Sequence, residues 1–320
     1  MDLLRTPDRA FAGLAGFPYR PHYAELRDGL RMHYVDEGPR DAEAVLLLHG
    51  QPTWSYLYRK VIDRLVAQGP LAVAPDLVGF GRSDKPAARA AHSVRGHVTW
   101  MAQFADALGL RNLTLVVQDW GGPIGLGLVA ARPGLVERVV AANTALHTAE
   151  STLEGRLAWP VFAADAATVT VGQTLLDYQR LTQELVPFRP SLFVQGATTS
   201  EVPSDVLAAY DAPFPDESYC AGPRQLPLLM GFTPSSERAR VNRQTFDALA
   251  DFAGPFVTAF SDGDLGTGGW AEVLQERVPG AQGRPHVTIG GAGHFLQKDR
   301  GGELADVVVR VVGLPTRRAD

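Results

Sequence analysis

The chain has 320 residues, enough for one large domain or for a large domain that carries a smaller insertion. A formal net charge of -5, without a long basic run, gives no reason to expect nucleic acid or an anionic membrane surface as a partner. The single cysteine, Cys220, excludes an intrachain disulfide and a cysteine-rich metal site. Charged residues near the N-terminus do not fit a signal peptide, and no window reaches the ~20 apolar residues of a membrane span, so we expect a cytoplasmic protein.

The first half of the chain predicts strands that alternate with helices. Alternating polar and apolar residues predict an antiparallel pair at 21–26 and 30–38, with a turn at Asp28-Gly29. Short, wholly apolar runs follow, which are typical of strands covered on both faces. These strands are predicted at 44–50, 71–79, 113–119 and 136–144, and helices at 55–68, 93–109 and 122–131. The alternation predicts an α/β fold with a mostly parallel, doubly wound sheet.

The pattern changes from about 146 to 230, where helical periodicity and many prolines replace the buried apolar strands. Alternation then resumes, with helices predicted at 235–252, 268–277 and 302–313 and strands at 255–261 and 286–290. A helical stretch between two halves of one sheet is best explained as an insertion. We therefore predict a main domain in two parts, 1–145 and 231–320, with an α-helical cap at 146–230.

Three polar features each follow an apolar strand of this predicted sheet. They are Asp119, the acidic loop SDGD (261–264), and His294 in GGAGHF. Loops at the carboxyl ends of parallel strands converge on one crevice, so these side chains are expected to meet there. The order nucleophile, acid, histidine is that of α/β-hydrolases, although Val117 replaces the first glycine of the usual G-x-S-x-G elbow.

An aspartate in the place of the usual serine indicates the kind of electrophile. A serine that attacks a saturated carbon would be left as a stable ether, whereas a carboxylate becomes an alkyl ester. Water activated by His294 can hydrolyse that ester, while an oxyanion hole holds the tetrahedral charge. The loop HGQP (49–52) follows an apolar strand, where this fold usually places one oxyanion-hole donor, and the second donor is the residue after the nucleophile. The predicted donors are therefore the backbone N–H groups of Gln51 and Trp120. Asp119 therefore predicts attack on a carbon that carries a halide or an epoxide oxygen.

Longer motifs resemble haloalkane dehalogenases along essentially the whole chain. They are HGQPTWSYLYRK (49–60), PDLVGFGRSDKP (75–86), RNLTLVVQDWGG (111–122), YDAPFPDESYCAG (210–222) and GAGHF (291–295). The resemblance is greatest to the subfamily with two halide-binding tryptophans. It implies that Asp119 is the nucleophile and His294 the general base. The acid that orients the histidine is Asp264 by the better alignment, with Asp262 as the alternative or as a turn former.

The same resemblance implies how the pocket binds its ligands. Indole N–H groups donate and cannot accept, which suits a halide, and the two donors would be Trp120 and Trp159. Trp159 has a competing interpretation as a buried aromatic of the cap core. That subfamily commonly has Glu where this chain has Gln51, so it stays open whether the Gln51 side chain also touches the halide. Residues expected to line the substrate pocket are Phe162, Leu192, Phe193 and Leu265.

The predicted reaction converts a small halogenated aliphatic substrate and water to an alcohol, a halide ion and a proton. We expect no cofactor, no metal and a monomeric protein. One alternative is an epoxide hydrolase with the same nucleophile, for which Tyr178, Tyr210 and Tyr219 offer possible acids. A second alternative is a non-catalytic relative that binds a small ligand, which the complete set of three catalytic residues disfavours.

Overall fold

A computed structural model describes residues 1–149, 161–163, 169–171 and 173–316. The strands are β1 (Leu3–Leu4), β2 (His22–Glu25), β3 (Arg31–Glu37), β4 (Ala44–Leu48), β5 (Leu71–Pro75), β6 (Lys85–Pro86), β7 (Leu113–Asp119), β8 (Val136–Thr144), β9 (Val161–Ala163), β10 (Val169–Val171), β11 (Phe256–Ser261) and β12 (Val287–Ile289). The α-helices are α1 (Arg59–Val66), α2 (Val94–Ala107), α3 (Gly121–Ala131), α4 (Gln173–Glu184), α5 (Pro190–Gly196), α6 (Ser204–Asp211), α7 (Ala221–Leu228), α8 (Glu237–Ala250), α9 (Trp270–Arg277) and α10 (Leu296–Val312).

The central sheet has eight strands within the described residues, in the order β12-β11-β8-β7-β4-β5-β3-β2. The pairs β2–β3 and β3–β5 are antiparallel, and the other neighbours are parallel. The sequence-based predictions of a mostly parallel sheet and of an antiparallel pair formed by its first two strands are therefore confirmed.

Successive residues of the central strands pack on opposite faces of the sheet. In β4, Leu46 and Leu48 belong to one buried cluster, and Val45 and Leu47 to another. Helices α2, α3, α8 and α9 contribute to the first cluster, whereas α1 and α10 contribute to the second. Because both faces are covered, nearly every residue of such a strand is buried, which explains the continuous apolar runs of the sequence.

Strands β9 and β10 and the start of helix α10 differ from the prediction. Strands β9 and β10 form a small antiparallel pair between 146 and 230, where no strand was expected, because three-residue segments are too short to stand out as a buried run. Helix α10 begins at Leu296 rather than at 302, and non-helical φ/ψ angles at Arg300 kink it just before Gly301 and Gly302. Glycine has a low helix propensity, so Gly301 and Gly302 led the sequence-based prediction to start the helix too late. None of the helices in the described ranges combines the length and apolarity needed to cross a membrane.

Candidate active site

Asp119 lies at a sharp turn between β7 and α3. It is the last residue of β7, its φ is +50°, and α3 begins at Gly121. A Cβ at Gly50 would lie 2.2 Å from Asp119 Oδ1, and a Cβ at Gly121 would lie 2.3 Å from the carbonyl oxygen of Leu48. Both positions therefore require glycine, and the turn presents the carboxylate beside the loop that follows β4.

The backbone N–H of Gln51 donates a 2.7 Å hydrogen bond to Asp119 Oδ1, as an oxyanion-hole donor is expected to do. The backbone N–H of Trp120, the second expected donor, makes no hydrogen bond to this carboxylate among the described residues. The Gln51 side chain points toward helices α4 and α7, where its Nε2 donates to the Pro223 carbonyl at 3.0 Å and its Oε1 accepts from the Tyr178 hydroxyl. These two contacts fix the loop that carries the Gln51 N–H.

His294 lies between two carboxylates. Its Nε2 is 3.3 Å from Asp119 Oδ2, and its Nδ1 is 3.0 Å from Asp264 Oδ1. Asp264 also accepts hydrogen bonds from the Gly266 N–H at 2.8 Å and from the Thr267 hydroxyl. Asp262 accepts from the backbone N–H groups of Gly291 and Ala292 instead, so of the two candidates for the acid it is Asp264 that meets the histidine.

The two ion pairs of His294 determine its charge in the free enzyme. Burial opposes the imidazolium, but the carboxylates of Asp264 and Asp119 outweigh burial and raise the pKa of His294 to about 10. Burial likewise opposes the charge of Asp264, but His294, Thr267 and the Gly266 N–H lower the pKa of this carboxyl to about 2. At neutral pH the histidine is therefore protonated while both carboxylates face it.

Sequence analysis did not identify the residues that hold the histidine loop. Asn143, at the end of β8, donates from its side-chain amide to the carbonyls of Gly293 and His294 at 3.0 Å each. The side-chain amide of Gln118 donates to the same His294 carbonyl at 3.2 Å. A polar residue at the end of an apolar strand, such as Asn143, is the signal that could have indicated this function.

A cavity of about 420 Å³ opens beside these groups. Asp119, Trp120 and His294 line it, and so do three of the predicted pocket residues, Leu192, Phe193 and Leu265. Trp159 lies outside the described residues, and Phe162 belongs to β9 but its side chain lies outside them too. Within the described ranges, no three His, Cys, Asp or Glu side chains come together as metal ligands would.

Comparisons with known proteins identify the family and support the fold. Residues 43–165 match the family model for the alpha/beta hydrolase fold. A haloalkane dehalogenase of Psychrobacter cryohalolentis is 44% identical over 316 residues, covering 98% of both chains, and one of Mycobacterium marinum is 40% identical over 97% of this chain and 99% of its own. The chain belongs to the haloalkane dehalogenase family. Its fold is similar to the tetrameric structure of a haloalkane dehalogenase from Paraglaciecola agarilytica NO2, with a TM-score of 0.84 and 30% identity over 96% of this chain and 97% of that one.

One cavity residue of this haloalkane dehalogenase family member stands out. Arg238, in the first turn of α8, is only 5% exposed, and its guanidinium carbon lies 4.2 Å from the centre of the Trp120 ring. Sequence analysis missed it because the segment SSERARVNRQ resembles the solvated basic face of a helix.

Proposed function

We propose that this chain hydrolyses small haloalkanes to an alcohol, a halide ion and a proton through an alkyl ester on Asp119. The observation that carries the proposal is the environment of the Asp119 carboxylate. One oxygen accepts from the Gln51 N–H at 2.7 Å, the other lies 3.3 Å from His294, and Trp120 lines the same cavity. A positioned carboxylate beside a base and an indole donor suits displacement of a halide from carbon.

In the first step, Asp119 Oδ2 attacks the carbon that carries the halogen. The carbon–halogen bond breaks, and the halide leaves with the bonding electrons. The Gln51 N–H holds the other oxygen, Oδ1, and so orients the carboxylate for attack. The Trp120 indole, a donor without acceptor capacity, stabilises the departing halide.

In the second step, water hydrolyses the ester at Cγ of Asp119. Alkylation removes the negative charge of Asp119, which is one of the two charges that raise the pKa of His294. The histidine then releases its proton more readily, and its neutral form takes a proton from the attacking water. The oxyanion formed at Oδ1 is held by the Gln51 N–H, and Asp264 keeps Nδ1 of the imidazole in place. Collapse breaks the bond between Cγ and the alcohol oxygen, which takes the second proton of the water. The alcohol leaves, Asp119 is again a carboxylate, and His294 is again protonated.

The second halide donor is proposed to be Trp159, as the subfamily with two tryptophans implies. The segment 146–230 is proposed to act as the cap, since α4 and α5 contribute Tyr178, Leu192 and Phe193 to the cavity wall. Monomeric state, cytoplasmic location and turnover without a cofactor also remain predictions. Replacement of Trp159 by Phe, followed by bromide titration of the tryptophan fluorescence, tests the donor directly, and unchanged bromide affinity would remove Trp159 from the site.

The proposal is tested by trapping the ester. His294→Gln removes the base, so incubation with 1-bromobutane should add one butyl group to the protein, and peptide mapping should locate it on Asp119. Asp119→Asn in the same background is the matched control and should gain no mass. A folded His294→Gln protein without an adduct, together with a wild type inactive on bromoalkanes and chloroalkanes, would refute the proposal.

Epoxide hydrolysis is the second candidate, because it can use the same aspartate nucleophile. It also needs an acid that protonates the epoxide oxygen. Tyr178 lines the cavity, but its hydroxyl donates to Gln51 Oε1. Because the Tyr178 hydroxyl already donates its proton to Gln51, it is not directed at an epoxide oxygen, which favours the dehalogenase. Hydrolysis of styrene oxide by the wild type and its loss in Tyr178→Phe, with no turnover of bromoalkanes, would favour the epoxide hydrolase instead.

A further inference from the structure

Arg238 carries a charge that the proposed mechanism does not use. It lines the same cavity as Asp119 and Trp120, and its side chain is buried, with only 5% of the residue exposed. Its Nε and Nη1 atoms have no hydrogen-bond partner among the described residues. Buried N–H groups without partners on a charged side chain are costly, and natural proteins usually give a buried guanidinium an anionic partner.

Among the described residues, no carboxylate takes the place of that partner. No ion pair joins its guanidinium to a carboxylate in the described part of the chain; the charge of Asp119 acts on it from a greater distance, as does Tyr178. His147, another neighbour in the cavity wall, has its pKa lowered to about 3 by burial and by Arg238, and is neutral. The position of Arg238 in the first turn of α8 adds the unfavourable end of the helix dipole.

The contact with Trp120 fixes where this charge acts. With the guanidinium carbon 4.2 Å from the ring centre, the cation covers one face of the indole, whereas the indole N–H lies at the ring edge. Burial lowers the pKa of Arg238 to about 10, so the group stays charged at neutral pH. The cavity wall therefore combines a cation and an N–H donor on two side chains in contact.

We propose that Arg238 and Trp120 form a subsite for a small monovalent anion within the substrate cavity. The anion can be the halide that leaves the substrate or the carboxylate of a short halogenated carboxylic acid, and both are singly charged and fit a guanidinium. The assignment of these ligands rests on the proposed dehalogenase function. Anion binding itself requires no turnover.

The first experiment measures anion binding by the whole protein. Sodium bromide is titrated against tryptophan fluorescence, and sodium propionate is tested as a competitor, with wild type, Arg238→Met, Arg238→Lys and the exposed control Arg240→Met. Arg238→Met should weaken binding at least tenfold, Arg238→Lys should retain part of it, and Arg240→Met should stay within twofold of wild type. Far-ultraviolet circular dichroism and the melting temperature verify that each variant is folded. Equal anion affinity of folded Arg238→Met and wild type would overturn the proposal, as would absence of binding to the wild type.

The second experiment distinguishes the two sources of the anion. In the His294→Gln background, trapping rates are compared for 1-bromobutane and 4-bromobutanoate with and without Arg238→Met. If a substrate carboxylate binds Arg238, Arg238→Met should lower the trapping rate of 4-bromobutanoate at least tenfold more than that of 1-bromobutane. If the halide binds Arg238, the substitution should lower both trapping rates equally. Unchanged rates for both would count against the subsite. Failure of 1-bromobutane to form an adduct in His294→Gln contradicts the dehalogenase function, while the bromide titration still tests the subsite.

Discussion

Asp264 Oδ1 lies 3.0 Å from Nδ1 of His294, at the side of the imidazole ring opposite the Asp119 contact. This contact keeps Nδ1 protonated and directs Nε2 toward the nucleophile. Asp264→Asn should preserve alkylation but lower the rate of ester hydrolysis by roughly 10³-fold or more, since an amide can favour the wrong tautomer of the histidine. Rapid-quench kinetics with a bromoalkane should then show a burst of halide and an accumulated alkyl-enzyme.

Asp262→Asn is the matched control for that substitution. Asp262 accepts from the backbone N–H groups of Gly291 and Ala292, and an asparagine oxygen can do the same. Turnover within threefold of wild type is expected. A larger defect in Asp262→Asn than in Asp264→Asn would reverse the assignment of the acid.

The pKa of His294 predicts how stability depends on pH. It is raised from an unfolded value near 6.5 to about 10, so the folded state binds the proton more tightly. This contribution is fully present below about pH 6.5 and is lost as pH rises toward 10. The melting temperature of the wild type should therefore fall between pH 7 and 10, and His294→Gln should show a smaller fall. Parallel curves for the two proteins would contradict the charge assigned to the histidine.

Gly50 is predicted to be essential for the position of the nucleophile. A Cβ there would lie 2.2 Å from Asp119 Oδ1, so Gly50→Ala must displace the carboxylate or the loop. A displacement of about 1 Å can cost roughly 100-fold in rate, and kcat should fall by at least that factor. Gly302→Ala is the control, because its Cβ meets nothing within 4 Å and the helix should gain up to about 1 kcal/mol. Wild-type kcat in Gly50→Ala would show that the close approach is unimportant.

Gln51→Glu tests the anchoring of the oxyanion loop. The substitution removes the donor to the Pro223 carbonyl and places a charge near Asp119, at a side chain that is 1% exposed. Loss of a buried hydrogen bond of this kind costs about 1–3 kcal/mol, which urea unfolding can measure. The exposed Gln244→Glu should change stability by less than about 0.5 kcal/mol. Equal stabilities of Gln51→Glu and wild type would mean that these contacts do not hold the loop.

The sequence predicted which side chains meet at the candidate site better than it predicted their surroundings, for a physical reason. Asp119, Asp264 and His294 each follow an apolar strand, and parallel strands bring their carboxyl ends together regardless of the details of packing. The Gln51 side chain could not be assigned in this way, because its partners Tyr178 and Pro223 belong to a different segment of the chain. Arg238 escaped attention because nothing in a helical pattern of charges reveals which arginine is buried.

Isotopic labelling of the first turnover tests the covalent mechanism most directly. With enzyme in excess over 1-bromobutane in H₂¹⁸O, water attacks Cγ of Asp119, so the alcohol keeps an unlabelled oxygen from Oδ2. The peptide that contains Asp119 should gain one ¹⁸O atom. An alcohol labelled with ¹⁸O in this first turnover, with no label in that peptide, would show that water attacks the substrate directly and would contradict the alkyl-Asp119 intermediate.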